Sequence, residues 1–90
     1  MLSVSSIDAK DQITVVGFAE SNEGHGQVVI FDSQSLEQRQ VIPGSEARTK
    51  VGGHVKIQRD PLSSGDRIWY SAKNEIVMAS YVQYGQSLVL

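Results

Sequence analysis

Two histidines are the side chains best suited to catalysis or metal binding in this chain of 90 residues. His25 lies between two glycines, so a loop could present its imidazole to a substrate or to a metal ion. His54 lies in a segment with strand-like alternation, on the side expected to be polar. Together with Glu23 they could bind a divalent ion, provided that folding brings the three side chains together. Solvent-exposed positions explain both histidines without chemistry, so the sequence predicts no metal site.

The other polar residues lack the spacing of a catalytic or nucleotide-binding motif. Asp32, Asp60 and Asp66 occupy turn positions, where a carboxylate commonly bonds to its own backbone. The chain has no cysteine, no Gly-Xaa-Ser-Xaa-Gly elbow and no Gly-Lys-Ser/Thr phosphate loop. We therefore predict a protein that is not an enzyme and that needs no cofactor or metal. An enzyme that uses a loop histidine is a weaker alternative.

Basic side chains recur along one segment of the chain, between residues 48 and 59. If the strand in this segment starts early, four of them share one face and a fifth follows. These residues are Arg48, Lys50, His54, Lys56 and Arg59. A basic strand face near aromatic rings such as Trp69 is typical of small barrels that bind single-stranded nucleic acid. Exposed strands carry such charges routinely, however, and the formal net charge of −2 lacks the basic excess of most nucleic-acid-binding proteins.

The clearest structural signal lies between residues 65 and 84, where two β-rich runs flank Lys73-Asn74. A break of two residues between such runs predicts a hairpin, and the turn then sets the register of the two strands. The predicted cross-strand pairs are Ala72 with Glu75, Tyr70 with Val77, Trp69 with Met78, and Ile68 with Ala79.

Both faces of this predicted hairpin are apolar. One face carries Ile68, Tyr70, Val77, Ala79 and Tyr81, and the other carries Trp69, Ile76, Met78, Val82 and Tyr84. An antiparallel hairpin at an ordinary protein surface has one polar face, because that face contacts water. We therefore predict either that the fold encloses both faces or that the second face meets a partner.

Two segments ahead of this hairpin have the composition of further strands. Residues 12–20 and 27–31 are short apolar runs joined by a glycine-rich loop, and they predict a second hairpin. Within it, Gly17 indicates a bulge or a close backbone approach. Residues 36–42 fit a turn followed by a strand better than the alternative, a short helix capped by Asp32.

The remaining segments complete an all-β pattern. Residues 51–59 alternate like a half-exposed strand, and Ser87–Leu90 can add a final short strand. Residues 1–11 form either an N-terminal arm or an edge strand. We therefore predict one domain over residues 1–90, an antiparallel barrel or sandwich of about six or seven short strands.

Our leading functional hypothesis is a non-enzymatic interaction module that packs against copies of itself or against a larger protein, as a structural component of an assembly does. The predicted interface consists of Trp69, Ile76, Met78, Val82 and Tyr84. The alternative is a small nucleic-acid-binding barrel that uses the basic residues between 48 and 59. The sequence shows no signal-peptide pattern and no membrane-spanning run, so we expect a soluble protein, cytoplasmic or within an assembly, without a membrane partner.

Overall fold

The computed structural model describes residues 3–19, 24–62 and 65–81. Within these ranges the chain forms seven antiparallel strands and no helix, which confirms the all-β prediction. The strands are β1 (Ser6–Lys10), β2 (Ile13–Phe18), β3 (Gln27–Asp32), β4 (Gln38–Pro43), β5 (Val55–Arg59), β6 (Asp66–Ala72) and β7 (Glu75–Tyr81).

The strands are arranged in two sheets. The first sheet has the order β1-β2-β3-β4, and the second has the order β5-β6-β7. Within each sheet, every strand pairs with the next strand of that sheet in sequence, so both sheets are meanders built from consecutive hairpins. The described strands do not close into a barrel, and β5 of the second sheet packs against β1 and β2 of the first.

A single apolar core fills the space between the sheets. The first sheet contributes alternate residues of β2 and β3, and the second contributes alternate residues of its three strands, because successive side chains point to opposite faces. The buried core residues are Ile13, Val15, Val28, Ile30, Val51, Ile57, Ile68, Tyr70 and Tyr81. One face of the second sheet therefore packs against the first sheet.

The far side of the first sheet is also partly apolar, and its central residues are buried. Val16 and Val29 point away from the second sheet, yet they are only 7% and 3% exposed. Ile7 of the edge strand β1 pairs with Val16 on the same face and is 63% exposed. The first sheet therefore buries the centre of its outer face and leaves an apolar residue exposed at its edge.

Close backbone contacts hold the two sheets together at one end. A Cβ atom on Gly17 would lie 2.0 Å from the carbonyl oxygen of Gly52, so the close approach predicted for Gly17 is confirmed. Gly52 itself has a positive φ of 98°, which glycine adopts without the steric cost that other residues meet. Ser6 Oγ donates to the same Gly52 carbonyl at 2.9 Å and ties β1 to this junction.

Several other sequence predictions can be compared with the fold. Residues 38–43 form strand β4, so the helix alternative for this region is wrong. Asp32 instead caps a turn, since its Oδ1 accepts the backbone N–H groups of Gln34 and Ser35. The N-terminal strand β1 lies at an edge of the first sheet. The predicted final strand, Ser87–Leu90, lies outside the described residues.

Candidate interaction surface on the second sheet

The outer face of the second sheet is formed by the side chains of β5, β6 and β7 that point away from the core, and we call it the open face. The β6–β7 hairpin that builds it has the register predicted from its two-residue turn, including the pairs Trp69 with Met78 and Ile68 with Ala79. On the other side of β6, Lys56 of β5 lies directly opposite Trp69. A row of Lys56, Trp69 and Met78 therefore crosses the middle of the open face.

Two large apolar side chains on the open face are exposed. Ile76 is 67% exposed and Met78 is 43% exposed, whereas Ile68 on the opposite face of the same hairpin is fully buried. Both faces carry large apolar side chains, but the open face also carries Arg67, Ser71 and Ser80, and the first sheet covers the opposite face. Val82 and Tyr84, also predicted for this surface, lie outside the described residues.

Trp69 occupies the centre of the open face and is partly exposed. Its indole Nε1 donates a hydrogen bond to Gln58 Oε1 at 3.0 Å, which satisfies the only polar group of the ring and directs its edge toward β5. The ring is thereby oriented without being buried. A fixed aromatic side chain contacts a partner at low entropic cost, because little side-chain freedom is left to lose.

A shallow groove of about 150 Å³ lies beside Trp69. Its lining consists of His54, Val55, Lys56, Trp69, Tyr70, Ser71 and Ile76. Pockets for drug-sized ligands are typically about 300–1,000 Å³. This groove therefore has room for a single side chain or a single base, and not for a cofactor.

The predicted basic face is divided by the backbone. The sequence argument required an extended segment from residue 48 onward, but β5 begins only at Val55 and Lys50 has a positive φ of 55°. The alternation of side chains is therefore interrupted before the strand starts. Of the five basic residues in the prediction, only His54 and Lys56 line the groove.

Two of the other predicted basic residues are paired with carboxylates. Arg48 Nε donates to Glu75 Oε2 at 3.0 Å, and this hydrogen bond raises the pKa of the Arg48 guanidinium. Arg59 lies 3.8 Å from Asp11 in an exposed ion pair. A partner with negative charge would have to compete with these carboxylates for both guanidinium groups.

A second cleft, of about 320 Å³, lies between the 45–48 turn and the β6–β7 turn. Its walls are mostly polar and include Lys73, Glu46 and the Arg48–Glu75 ion pair. Lys73 also fixes this region through its backbone, since its N–H donates to the carbonyl of Thr49 at 3.0 Å. The cleft contains charges of both signs and offers no apolar surface comparable to the open face.

The contacts of the two histidines in the structure are made by their backbone atoms. His25 is exposed, and its backbone carbonyl accepts the N–H of Val51. His54 bonds through its backbone to Ser71 Oγ at 2.9 Å. Glu23 lies outside the described residues, and within residues 3–19, 24–62 and 65–81 no three His, Asp or Glu side chains are grouped closely enough to hold a metal ion.

The described ranges contain no helix that is long and apolar enough to cross a membrane.

Sequence reasoning missed the partnership between Trp69 and Gln58. The loop between β5 and β6 is too long to fix a register by itself, so the sequence did not reveal which β5 residues would flank the tryptophan. The alternation of side chains along β5 places Gln58 and Lys56 on one face, and this alternation is the sequence signal that points to Gln58 as a neighbour of Trp69.

No protein-family model matches this chain. No curated protein and no solved structure matches it either.

Proposed function

We propose that this chain is a non-enzymatic interaction module that binds protein, either a copy of itself or a larger partner, through the open face. The observation that carries the proposal is the exposure of Ile76 and Met78 next to the oriented ring of Trp69. Large exposed apolar side chains that lie together, rather than scattered, are typical of interaction surfaces.

The comparison between the two sheets supports this proposal. The first sheet also has an apolar outer face, and it buries Val16 and Val29 at the centre of that face, whereas Ile7 on its edge strand is 63% exposed. The second sheet leaves its outer apolar residues in water, at a cost of roughly 25 cal/mol for each Å² of apolar surface that a partner would cover. Tryptophan is also among the residues that contribute most to binding at protein interfaces.

The test compares the wild-type protein with the double variant Ile76→Ser/Met78→Ser. The control is Val4→Ser/Leu62→Ser, which removes two exposed aliphatic side chains that lie elsewhere. Sedimentation velocity measures self-association, and a pull-down with each protein as bait detects a different partner. We expect the wild type and the control to associate in one of these two assays, and we expect the open-face variant to associate in neither. The proposal would be overturned if the wild type is strictly monomeric and the open-face variant retains the same proteins as the wild type.

A second candidate function is binding of single-stranded nucleic acid on the same face. The observation in its favour is that Lys56 lies directly opposite Trp69, so a base stacked on the indole would bring its phosphate near a cation. We expect a bound oligonucleotide to quench the single tryptophan, with an affinity that falls steeply with salt and with Lys56→Glu. Quenching that is absent, or insensitive to salt, would remove this candidate.

A further inference from the structure

We propose that the partner is a second copy of this chain, and that the two copies join edge to edge along β7 so that their second sheets form one sheet of six strands. This inference rests on the proposed function and specifies the partner and the mode of contact. Its basis is the backbone of β7 and the way in which the other sheet edges are protected. β7 is one of the edge strands, and its hydrogen-bonded neighbour among the described strands is β6.

The direction of the β7 backbone groups follows from the pairing of the sheet. Ile57 donates its N–H to Asp8 of the first sheet and therefore not to β6. Ile68, which lies opposite Ile57, must then form its backbone bonds on its other side, with Ala79 of β7. N–H groups alternate in direction along a strand, so every second residue of β7 points its N–H away from β6. These residues are Ile76, Met78 and Ser80.

The edges of β1 and β5 are protected against such pairing. β1 turns the charged side chain of Asp8 inward, and an inward charge is a known device against edge association. The same carboxylate occupies an outward N–H of β5 at Ile57. β5 also carries charged side chains at Lys56 and Arg59.

The outer edge of the first sheet is protected by different means. β4 contains Arg39 and ends at Pro43, and its register with β3 shifts between Ile30 and Phe31. A charge, a proline and a bulge each prevent a flat strand from adding to an edge.

β7 lacks the lysine, the proline and the bulge that protect the other edges. Its seven residues contain no proline or lysine, and its register with β6 runs without a shift from end to end. Glu75 is its only charged residue, and this carboxylate is neutralised by Arg48 at 3.0 Å. Two copies of β7 would therefore meet without repulsion between like charges, and residues of high strand propensity would form the contact.

Pairing through β7 would also join the open faces of the two copies into one surface. The residues with outward N–H groups are the residues whose side chains lie on that face, so one contact would satisfy the edge and bring Ile76 and Met78 of the two copies together. A strand of seven residues is about 23 Å long. A contact along one strand of this length is small, and interfaces below about 1,200 Å² are typical of weak association. We expect a dimer that dissociates on dilution.

The chain contains no cysteine, so a single introduced cysteine reports this contact without interference. The variants are Ile76→Cys, Met78→Cys and Ser80→Cys, oxidised with oxidised glutathione one at a time and in pairwise mixtures. Opposed residues in antiparallel strands have Cα atoms about 4.5–5.5 Å apart, which suits a disulfide. The control is Gln38→Cys, an exposed position on the β4 edge. We expect a disulfide-linked dimer from at least one β7 combination and none from the control.

The outcomes separate this inference from the proposed function. Suppose that the wild type dimerises, that Ile76→Ser/Met78→Ser abolishes the dimer, and that the β7 cysteine variants form no more disulfide than Gln38→Cys. This result would overturn the edge pairing and leave the open face as the interface. A monomer that binds a different protein through the open face would overturn the inference in the same way. As a second variant, Met78→Lys places a lysine on the edge, and we expect loss of the dimer with the fold retained.

Discussion

The carboxylate of Asp8 accepts the backbone N–H of Ile57 at 2.8 Å, although the two residues are 49 positions apart in sequence. This hydrogen bond joins the edge strand of one sheet to the edge strand of the other. Ile57 is itself a buried core residue, so the bond anchors β5 where the two sheets meet. Trp69 lies on the opposite face of the second sheet.

We expect Asp8→Ala to destabilise the domain by about 1–3 kcal/mol, because it leaves the buried N–H of Ile57 without an acceptor. The free energy of unfolding by urea would measure this loss. Glu37→Ala is a matched control, since it also removes a carboxylate, but one that only forms an exposed ion pair with Arg39. Its effect should stay within about 0.5 kcal/mol. Equal effects of the two substitutions would show that the Asp8 bond does not hold the sheets together.

We expect Gly17→Ala to lower the free energy of unfolding by at least about 1–3 kcal/mol. The new Cβ would lie 2.0 Å from the carbonyl oxygen of Gly52, so the backbone would have to move. Gly53→Ala is the control, since the nearest atom to its Cβ is a serine side-chain oxygen at 3.1 Å. That variant should remain within about 1 kcal/mol of the wild type. Thermal unfolding followed by circular dichroism distinguishes the two. A Gly17→Ala protein as stable as the control would mean that the sheets are not in contact at this point.

The two faces of the β6–β7 hairpin should respond differently to truncation. Ile68→Ala removes a fully buried side chain and should cost about 2–5 kcal/mol in the free energy of unfolding. Ile76→Ala removes an exposed side chain and should change that free energy by less than about 0.5 kcal/mol. Both values should be measured at low protein concentration, where association does not add to stability. A large loss for Ile76→Ala in the monomer would show that the open face is part of the core.

The turn that follows β3 should contribute stability that depends on pH. The N–H of Ser35 and the Arg39 guanidinium lower the pKa of the Asp32 carboxyl below its ordinary value of 3.8. A carboxyl whose pKa is lower in the folded state stabilises the fold above its unfolded pKa, and this stabilisation is lost as pH falls through the folded pKa. We therefore expect the stability difference between the wild type and Asp32→Asn to be constant from pH 7 to about pH 5 and to vanish as the carboxyl becomes protonated at lower pH. A difference independent of pH would contradict this assignment.

The hairpin was predictable because its register depends on only a few residues. A two-residue turn leaves no freedom in the pairing, so Lys73-Asn74 determines that Trp69 meets Met78. The same alternation placed Ile68 and Tyr70 on one face and Ile76 on the other. Local rules were sufficient here, since every contact lies within twenty residues of sequence.

Other features depended on contacts between distant segments. The sequence did not show which face of the hairpin the first sheet would cover, because both faces carry large apolar residues. The basic face was drawn on the assumption of an extended chain, and the positive φ angles of Lys50 and Gly52 break that assumption. These angles arise where the chain passes from one sheet to the other, a constraint that no local pattern at residues 48–54 reveals.

The emission of the single tryptophan, followed over a wide range of protein concentration, tests the central claim most directly. Trp69 lies directly opposite Met78 of β7, so a second copy paired along β7 should add its own side chains beside this pair and leave less water around the indole at high concentration. We expect the emission maximum of the wild type to move to longer wavelength on dilution, and we expect the emission maximum of Met78→Lys to stay constant over the same range of concentration. A wild-type emission maximum that is constant across the range would contradict the claim that two copies meet beside Trp69.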